Sequence, residues 1–303
     1  MSGLASTPPA PGRDSDPGVH PGDVAEGTEG TRPPGRDDGP TVDTAPRNVF
    51  SGRLLRDGRR IYWWRELIIV AVVYGVYESV RNMSKAGAEQ AYRNALRVID
   101  WQKDLHIWHE LSMQEWALQH TPLVIAANYF YGSAYIIVTV SALVFLFRVH
   151  PDDYPLWRNT LLIGTLFGLI GFATFPLMPP RLLDELGDGR VFGFVDTLVS
   201  YPTFWSFDSE AMKAVSNQFA AMPSLHCGWA FWGMCVFLPR VRSWWAKGLA
   251  VLYPVATVYV VVITGNHYLL DAVGGVVIFV AGYGVARLVT RAGRRPTPAP
   301  PPG

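Results

Sequence analysis

The chain has little cysteine, almost no net charge and, over its first 48 residues, no long apolar run. Its two cysteines, Cys227 and Cys235, share one apolar stretch with no Cys-x-x-Cys pattern, so no disulfide framework is encoded and both read as small hydrophobes of a buried helix. A formal charge of +1 without a basic stripe gives no footprint for nucleic acid, and no such partner is expected. Residues 1–48 are crowded with Pro, Gly, Asp and Thr, cannot bury enough apolar surface to offset their ordering entropy, and are expected to form a disordered arm. They lack the basic, apolar and small-residue regions of a signal peptide. The end of the chain, 291–303, finishes in RPTPAPPPG and is expected to be a second disordered tail.

What lies between, residues 49–290, is markedly apolar and aromatic. A membrane-spanning helix needs about 20 mostly apolar residues. Four stretches meet this without Lys, Arg, Asp or Glu: 122–147, 159–180, 219–239 and 248–266. A fifth, 67–80, is interrupted by Glu78, and a sixth, 268–286, carries Asp271. The expected fold is therefore all-α, a polytopic membrane protein built as a six-helix transmembrane bundle. Segment 81–121 alternates polar and apolar residues and suits one or two amphipathic helices at an interface. With six spans, the basic clusters around Arg53–Arg65, Arg148–Arg158, Arg240–Lys247 and Arg291–Arg295 fall on one side. By the positive-inside rule that side is the cytoplasm. The acid-rich segment 181–218 then lies outside, in a multi-pass protein of the plasma membrane. The aromatic residues of 190–218, Phe192, Phe194, Tyr201, Phe204, Trp205 and Phe207, are expected at the bilayer surface, either as a plain interfacial aromatic belt or as a surface that admits lipid laterally.

That topology gathers three polar clusters on the outer face: Arg181 after Pro-Pro, His226 in MPSLH, and His267 with Asp271 in GNHYLLD. Ionisable groups at span ends are costly and are candidates for function. His267 and Asp271 are four apart, on one helix face, where a carboxylate fixes the tautomer and frees the other ring nitrogen to attack. Pro223 suits a first helical position, and the helix start it opens attracts an anion such as phosphate. Ser224 adds a hydroxyl and His226 a general acid for a leaving alkoxide. Arg181 offers a planar fork for phosphate oxygens. Two histidines and an aspartate also make a candidate zinc site, but the accompanying Arg, Ser and helix start favour an anionic substrate.

These residues resemble the type 2 phosphatidic acid phosphatase superfamily, whose signatures are Lys-x6-Arg-Pro, Pro-Ser-Gly-His and Ser-Arg-x5-His-x3-Asp. The match covers about residues 60–290 and implies catalytic roles for His267 as phosphohistidine nucleophile, Asp271 as its orienting partner and His226 as general acid. Arg181 and Ser224 would bind the substrate phosphate, with no cofactor and no metal required. The departures are Thr174 for the Lys, Leu225 for the Gly, and Val260 and Val261 for the Ser-Arg pair. Thr264, Asn266, Asn217 and Lys213 are the candidates to replace the missing cationic ligands. The pattern is similar to the inositolphosphotransferase-like branch that contains inositol phosphorylceramide synthase, whose members pass a head group to an acceptor alcohol. The resemblance thus implies an integral membrane lipid phosphatase or phosphotransferase acting on a lipid phosphate or phosphodiester at the extracytoplasmic face. The alternative is a non-catalytic lipid-binding or lipid-transport protein on the same scaffold.

Overall fold

The computed structural model describes residues 52–83, 87–186, 188–201, 203 and 218–292. The arm at 1–48, nearly all of the tail, Phe204, Trp205, Phe207, Lys213 and Asn217 lie outside the described residues. A two-stranded antiparallel hairpin, β1 (Arg53–Leu54) and β2 (Arg60–Ile61), precedes helix α1 (Trp63–Met83). The expected interfacial segment folds as α2 (Ala88–Asp104) and α3 (Glu110–Leu118), joined by an elbow in which His106 takes φ +57°. Long helices α4 (Thr121–Val149) and α5 (Tyr154–Thr174) follow. After a single 3-10 turn at Pro180–Leu182 come two one-turn helices, α6 (Leu183–Leu186) and α7 (Thr197–Ser200). The chain ends in α8 (Leu225–Phe237), α9 (Trp244–Ile263) and α10 (Leu269–Ala292).

Among the described residues four helices, α4, α5, α9 and α10, are long and apolar enough to cross a membrane, which makes this a multi-pass membrane protein by length and composition. The stretch expected at 219–239 yields only the 13 residues of α8. Residues ahead of it leave the helix in a turn, and Ala220 pairs with Leu177 as an isolated parallel bridge. The span expected to reach 180 likewise ends at Thr174 for the same reason. Backbone that leaves a helix there must find other partners, and pairing two such segments supplies them.

Large apolar side chains such as Ile137 on α4, Leu252 on α9 and Val277 on α10 are exposed, as a lipid-facing surface requires. Inside, glycines let the helices close up. Gly282 of α10 lies against the backbone of Gly164 on α5, and a Cβ at Gly275 would be driven into the carbonyl oxygen of Ser224. Gly171 and Gly274 flank the ring of Pro223 in the same way. The segment that opens α8 is therefore seated between α5 and α10.

At one end of the bundle the basic clusters come together. The Arg56 N–H donates to Asp152 at 2.7 Å, Arg240 pairs with Asp153 at 2.6 Å and Arg158 with Glu66 at 2.6 Å. Asn159 donates to Thr290 at 3.3 Å, adding the end of α10. The turns carrying Arg181, His226 and His267 are at the other end.

Gly275→Ala is expected to cost about 1–3 kcal/mol, because the packed neighbours there are backbone and cannot yield. Gly284→Ala, where a Cβ meets nothing within 4 Å, is expected to be neutral or stabilising. Thermal unfolding of both variants in detergent checks the opposite signs.

Candidate active site

Three turns build the site, and each is bonded to the next. The first carries Arg181. Its backbone N–H donates to the Gly265 carbonyl at 2.9 Å, and its Nε donates to Asn266 Oδ1 at 3.1 Å. The guanidinium also pairs with Asp196, whose other carboxylate oxygen caps α7 by accepting the Leu198 N–H at 3.0 Å. Arg181 is thus anchored to the turn that bears His267, as the sequence order alone does not reveal.

The second turn, residues 264–268, joins α9 to α10. Gly265 has φ +70°, and a Cβ there would lie 3.1 Å from both Arg181 Cβ and Gln114 Nε2. Both the torsion and the crowding demand glycine. The N–H groups of Asn266 and His267 donate to the Val261 carbonyl at 3.0 and 3.1 Å. Thr264 Oγ1 donates to the Val260 carbonyl and accepts from Asn266 Nδ2 at 2.9 Å. Of the candidates to replace missing cations, Asn266 is thus bonded to Arg181, and Thr264 is bonded to Asn266.

His267 is buried. Its Nδ1 lies 2.8 Å from the carbonyl oxygen of Ala221 and 3.3 Å from Asp271 Oδ2. Both neighbours are acceptors, so Nδ1 carries the proton and Nε2 keeps its lone pair. The peptide carbonyl is the nearer of the two, where the spacing of His267 and Asp271 points to the carboxylate alone. Asp271 Oδ2 also accepts the Tyr268 N–H at 2.9 Å, while Oδ1 is buried with no hydrogen-bond partner.

The third turn opens α8. The Ser224 N–H donates to the Asp271 carbonyl at 2.9 Å, which stitches the start of α8 to the first turn of α10. Ser224 is the N-cap, its Oγ accepting the Cys227 N–H at 3.3 Å. Pro223 therefore precedes the cap instead of taking the first helical position expected from the sequence. His226 follows, its ring centroid 5.9 Å from that of His267. It stacks on Tyr131 at 4.4 Å and meets Tyr135 edge-on at 4.7 Å.

Arg181, Ser224, His226, Asn266, His267 and Asp271 accordingly belong to one constellation. Positions where the resemblance would have added cations hold none. Thr174 bonds back to the Ile170 carbonyl at 2.8 Å on an exposed helix face, and Val260 and Val261 are buried in α9. Among the described residues, no group of three or more His, Cys, Asp and Glu side chains is arranged to hold a metal ion.

Sequence reasoning missed several neighbours. Tyr131 and Tyr135 are four apart on α4, a spacing visible beforehand but lost among the aromatics of an apolar span. Asp196 read as one more acid of an outer loop. Gln102, Glu110 and Gln114 read as the polar face of interfacial helices, yet all three are fully buried. Phe194, expected at the bilayer surface, is buried edge-on against Trp108, and Phe192 packs on the same cluster.

Residues 96–285, more than half of the chain, match a family model described as the PAP2 superfamily. No curated protein and no solved structure matches the chain. The matched segment contains every residue of the constellation, from Arg181 to Asp271. The chain belongs to the PAP2 superfamily, the type 2 phosphatidic acid phosphatases that its paired histidine motifs resemble.

Proposed function

We propose that the protein is a metal-independent membrane phosphohydrolase or phosphotransferase that acts on a lipid-linked phosphate through a covalent phosphohistidine at His267. The observation that carries this reading is the 5.9 Å approach of two imidazoles from different helix starts, one with its Nδ1 engaged and its Nε2 left to attack.

The reaction is a double displacement. His267 Nε2 attacks phosphorus, the bond to the leaving oxygen breaks, and protonated His226 gives that oxygen its proton. Tyr131, stacked on His226, and Tyr135, edge-on to it, hold the ring in place for this step. In the return step an acceptor oxygen attacks phosphorus, its proton passes to His226, and the P–N bond breaks to restore His267. Water as acceptor gives hydrolysis, and an alcohol gives a new diester, as in the inositolphosphotransferase-like branch. Asp271 and the Ala221 carbonyl hold the ring while it is charged. Arg181 and Asn266 bind phosphate oxygens, with Ser224 beside them.

In this reading α1 and α8 join the four long helices as spans, giving six. The basic end of the bundle faces the cytoplasm, and the reaction takes place at the extracytoplasmic face of the plasma membrane. The substrate is drawn from membrane lipids, with polyols or other alcohols as acceptors.

Rapid quench with a labelled lipid phosphate should trap acid-labile, base-stable label on the protein. His267→Ala is expected to abolish the label, and His226→Ala to retain it while turnover falls; equal labelling of wild type and His267→Ala would refute the roles. Product analysis with and without added polyols separates the two reactions, since free phosphate alone excludes transfer under those conditions. Asp196→Asn keeps the capping oxygen of α7 but removes the charge that neutralises Arg181. It is expected to tighten competitive inhibition by inorganic phosphate several-fold, and unchanged inhibition would remove Arg181 from the phosphate site.

A further inference from the structure

The turn carrying His267 is gripped from outside by three buried side chains that take no part in the chemistry above. Gln102 ends α2, Glu110 opens α3, and Gln114 follows one turn later. Glu110 Oε1 accepts the Leu269 N–H at 2.9 Å and Gln102 Nε2 at 2.6 Å, and its Oε2 accepts the His109 N–H at 3.0 Å. Gln102 Oε1 accepts the Leu270 N–H at 2.9 Å. On the other side, Gln114 Nε2 donates to the Ile263 carbonyl at 3.1 Å and to the Val195 carbonyl at 2.9 Å. The first free N–H groups of α10 and the last carbonyl of α9 are thus satisfied by residues more than 140 positions away in the chain.

A helix start ordinarily caps itself with a residue of its own turn. Here that position is occupied by the reacting histidine's neighbours, and the cap is supplied by another part of the fold. The elbow at His106 sets the spacing that lets Gln102 and Glu110 reach adjacent N–H groups. In all three of these bonds Glu110 accepts, at the N-terminal end of α10 where the helix dipole favours an acceptor.

We propose that Gln102, Glu110 and Gln114 form a positioning clamp that fixes His267 in line for attack. The inference rests on the histidine reading above, and it adds that α2 and α3 act on the rate of the chemical step and not only on folding. Loss of Glu110 would let the start of α10 shift, and a displacement of about 1 Å at a reacting group can cost roughly a hundredfold in rate.

The test uses the full-length protein in detergent, with Glu110→Ala, Glu110→Gln and, as control, Glu89→Ala on the exposed face of α2. Single-turnover labelling gives two numbers, the amount of phosphoenzyme trapped and its rate constant of formation. A clamp predicts that Glu110→Ala lowers the rate constant per trapped site by roughly a hundredfold. Glu110→Gln, which keeps one accepting oxygen for Leu269, should recover part of it. If Glu110→Ala lowers only the amount trapped and leaves the rate constant at the wild-type value, the residue is merely structural and the proposal is overturned. Absence of label in wild type would count against the histidine reading instead. In that case 15N-histidine spectra decide the clamp on their own: the His267 resonance, assigned by its loss in His267→Ala, should move in Glu110→Ala and stay in Glu89→Ala. A resonance that does not move overturns the clamp.

Discussion

Backbone that leaves a helix at membrane depth has no water to turn to, so its N–H and C=O groups must be met within the protein. The whole site depends on how that constraint is satisfied. The Ser224 N–H meets the Asp271 carbonyl, the Arg181 N–H meets the Gly265 carbonyl, and the Leu177 and Ala220 segments bridge each other. Each irregular turn is completed by another irregular turn. Had the helices simply run on, neither the pairing nor the approach of the two imidazoles would exist.

Glycine makes these backbone contacts possible. The start of α8 can touch α10 because Gly275 has no Cβ to stand against Ser224, and it can touch α5 because Gly171 leaves room for Pro223. Large apolar residues such as Ile137, Leu252 and Val277 face outward, where lipid is as good a solvent as another Leu, while others, among them Trp232, Phe279 and Leu146, fill the interior. The glycines matter where backbone meets backbone, and side-chain bulk fills the rest.

Much of this was legible in the sequence. The apolar runs gave the long helices because a hydrophobic stretch free of charge has few alternatives, and the spacing of His267 and Asp271 gave a contact that is local to one turn. The expectation that Arg181, His226 and His267 share one face rests on a count of six spans; the structure brings the three together, with four helices among the described residues of spanning length and apolarity. What was not legible is whatever depends on pairing between distant segments. The start of α8 was marked by Pro223 and Ser224, but the bridge that Ala220 makes with Leu177 ahead of it is something no run of hydropathy encodes. Gln102 and Glu110 looked like solvated residues because burial of a polar side chain is decided by its partner, and the partners are backbone groups at Leu269 and Leu270. The nearer acceptor on His267, the carbonyl of Ala221, was invisible for the same reason.

Two carboxylates meet at the start of α10, Glu110 from α3 and Asp271 from α10 itself, and they do different work. Glu110 has its oxygens engaged by N–H donors, and it is spent on the backbone. Asp271 has one oxygen engaged and one, Oδ1, buried without a partner. In the proposed reaction the ring of His267 becomes cationic as Nε2 bonds to phosphorus. The Asp271 carboxylate, whose Oδ2 lies 3.3 Å from Nδ1, then gains attraction that the resting, neutral ring does not provide. Because Glu110 takes the Leu269 N–H of the same helix start, Asp271 Oδ2 is left with the Tyr268 N–H and this ring.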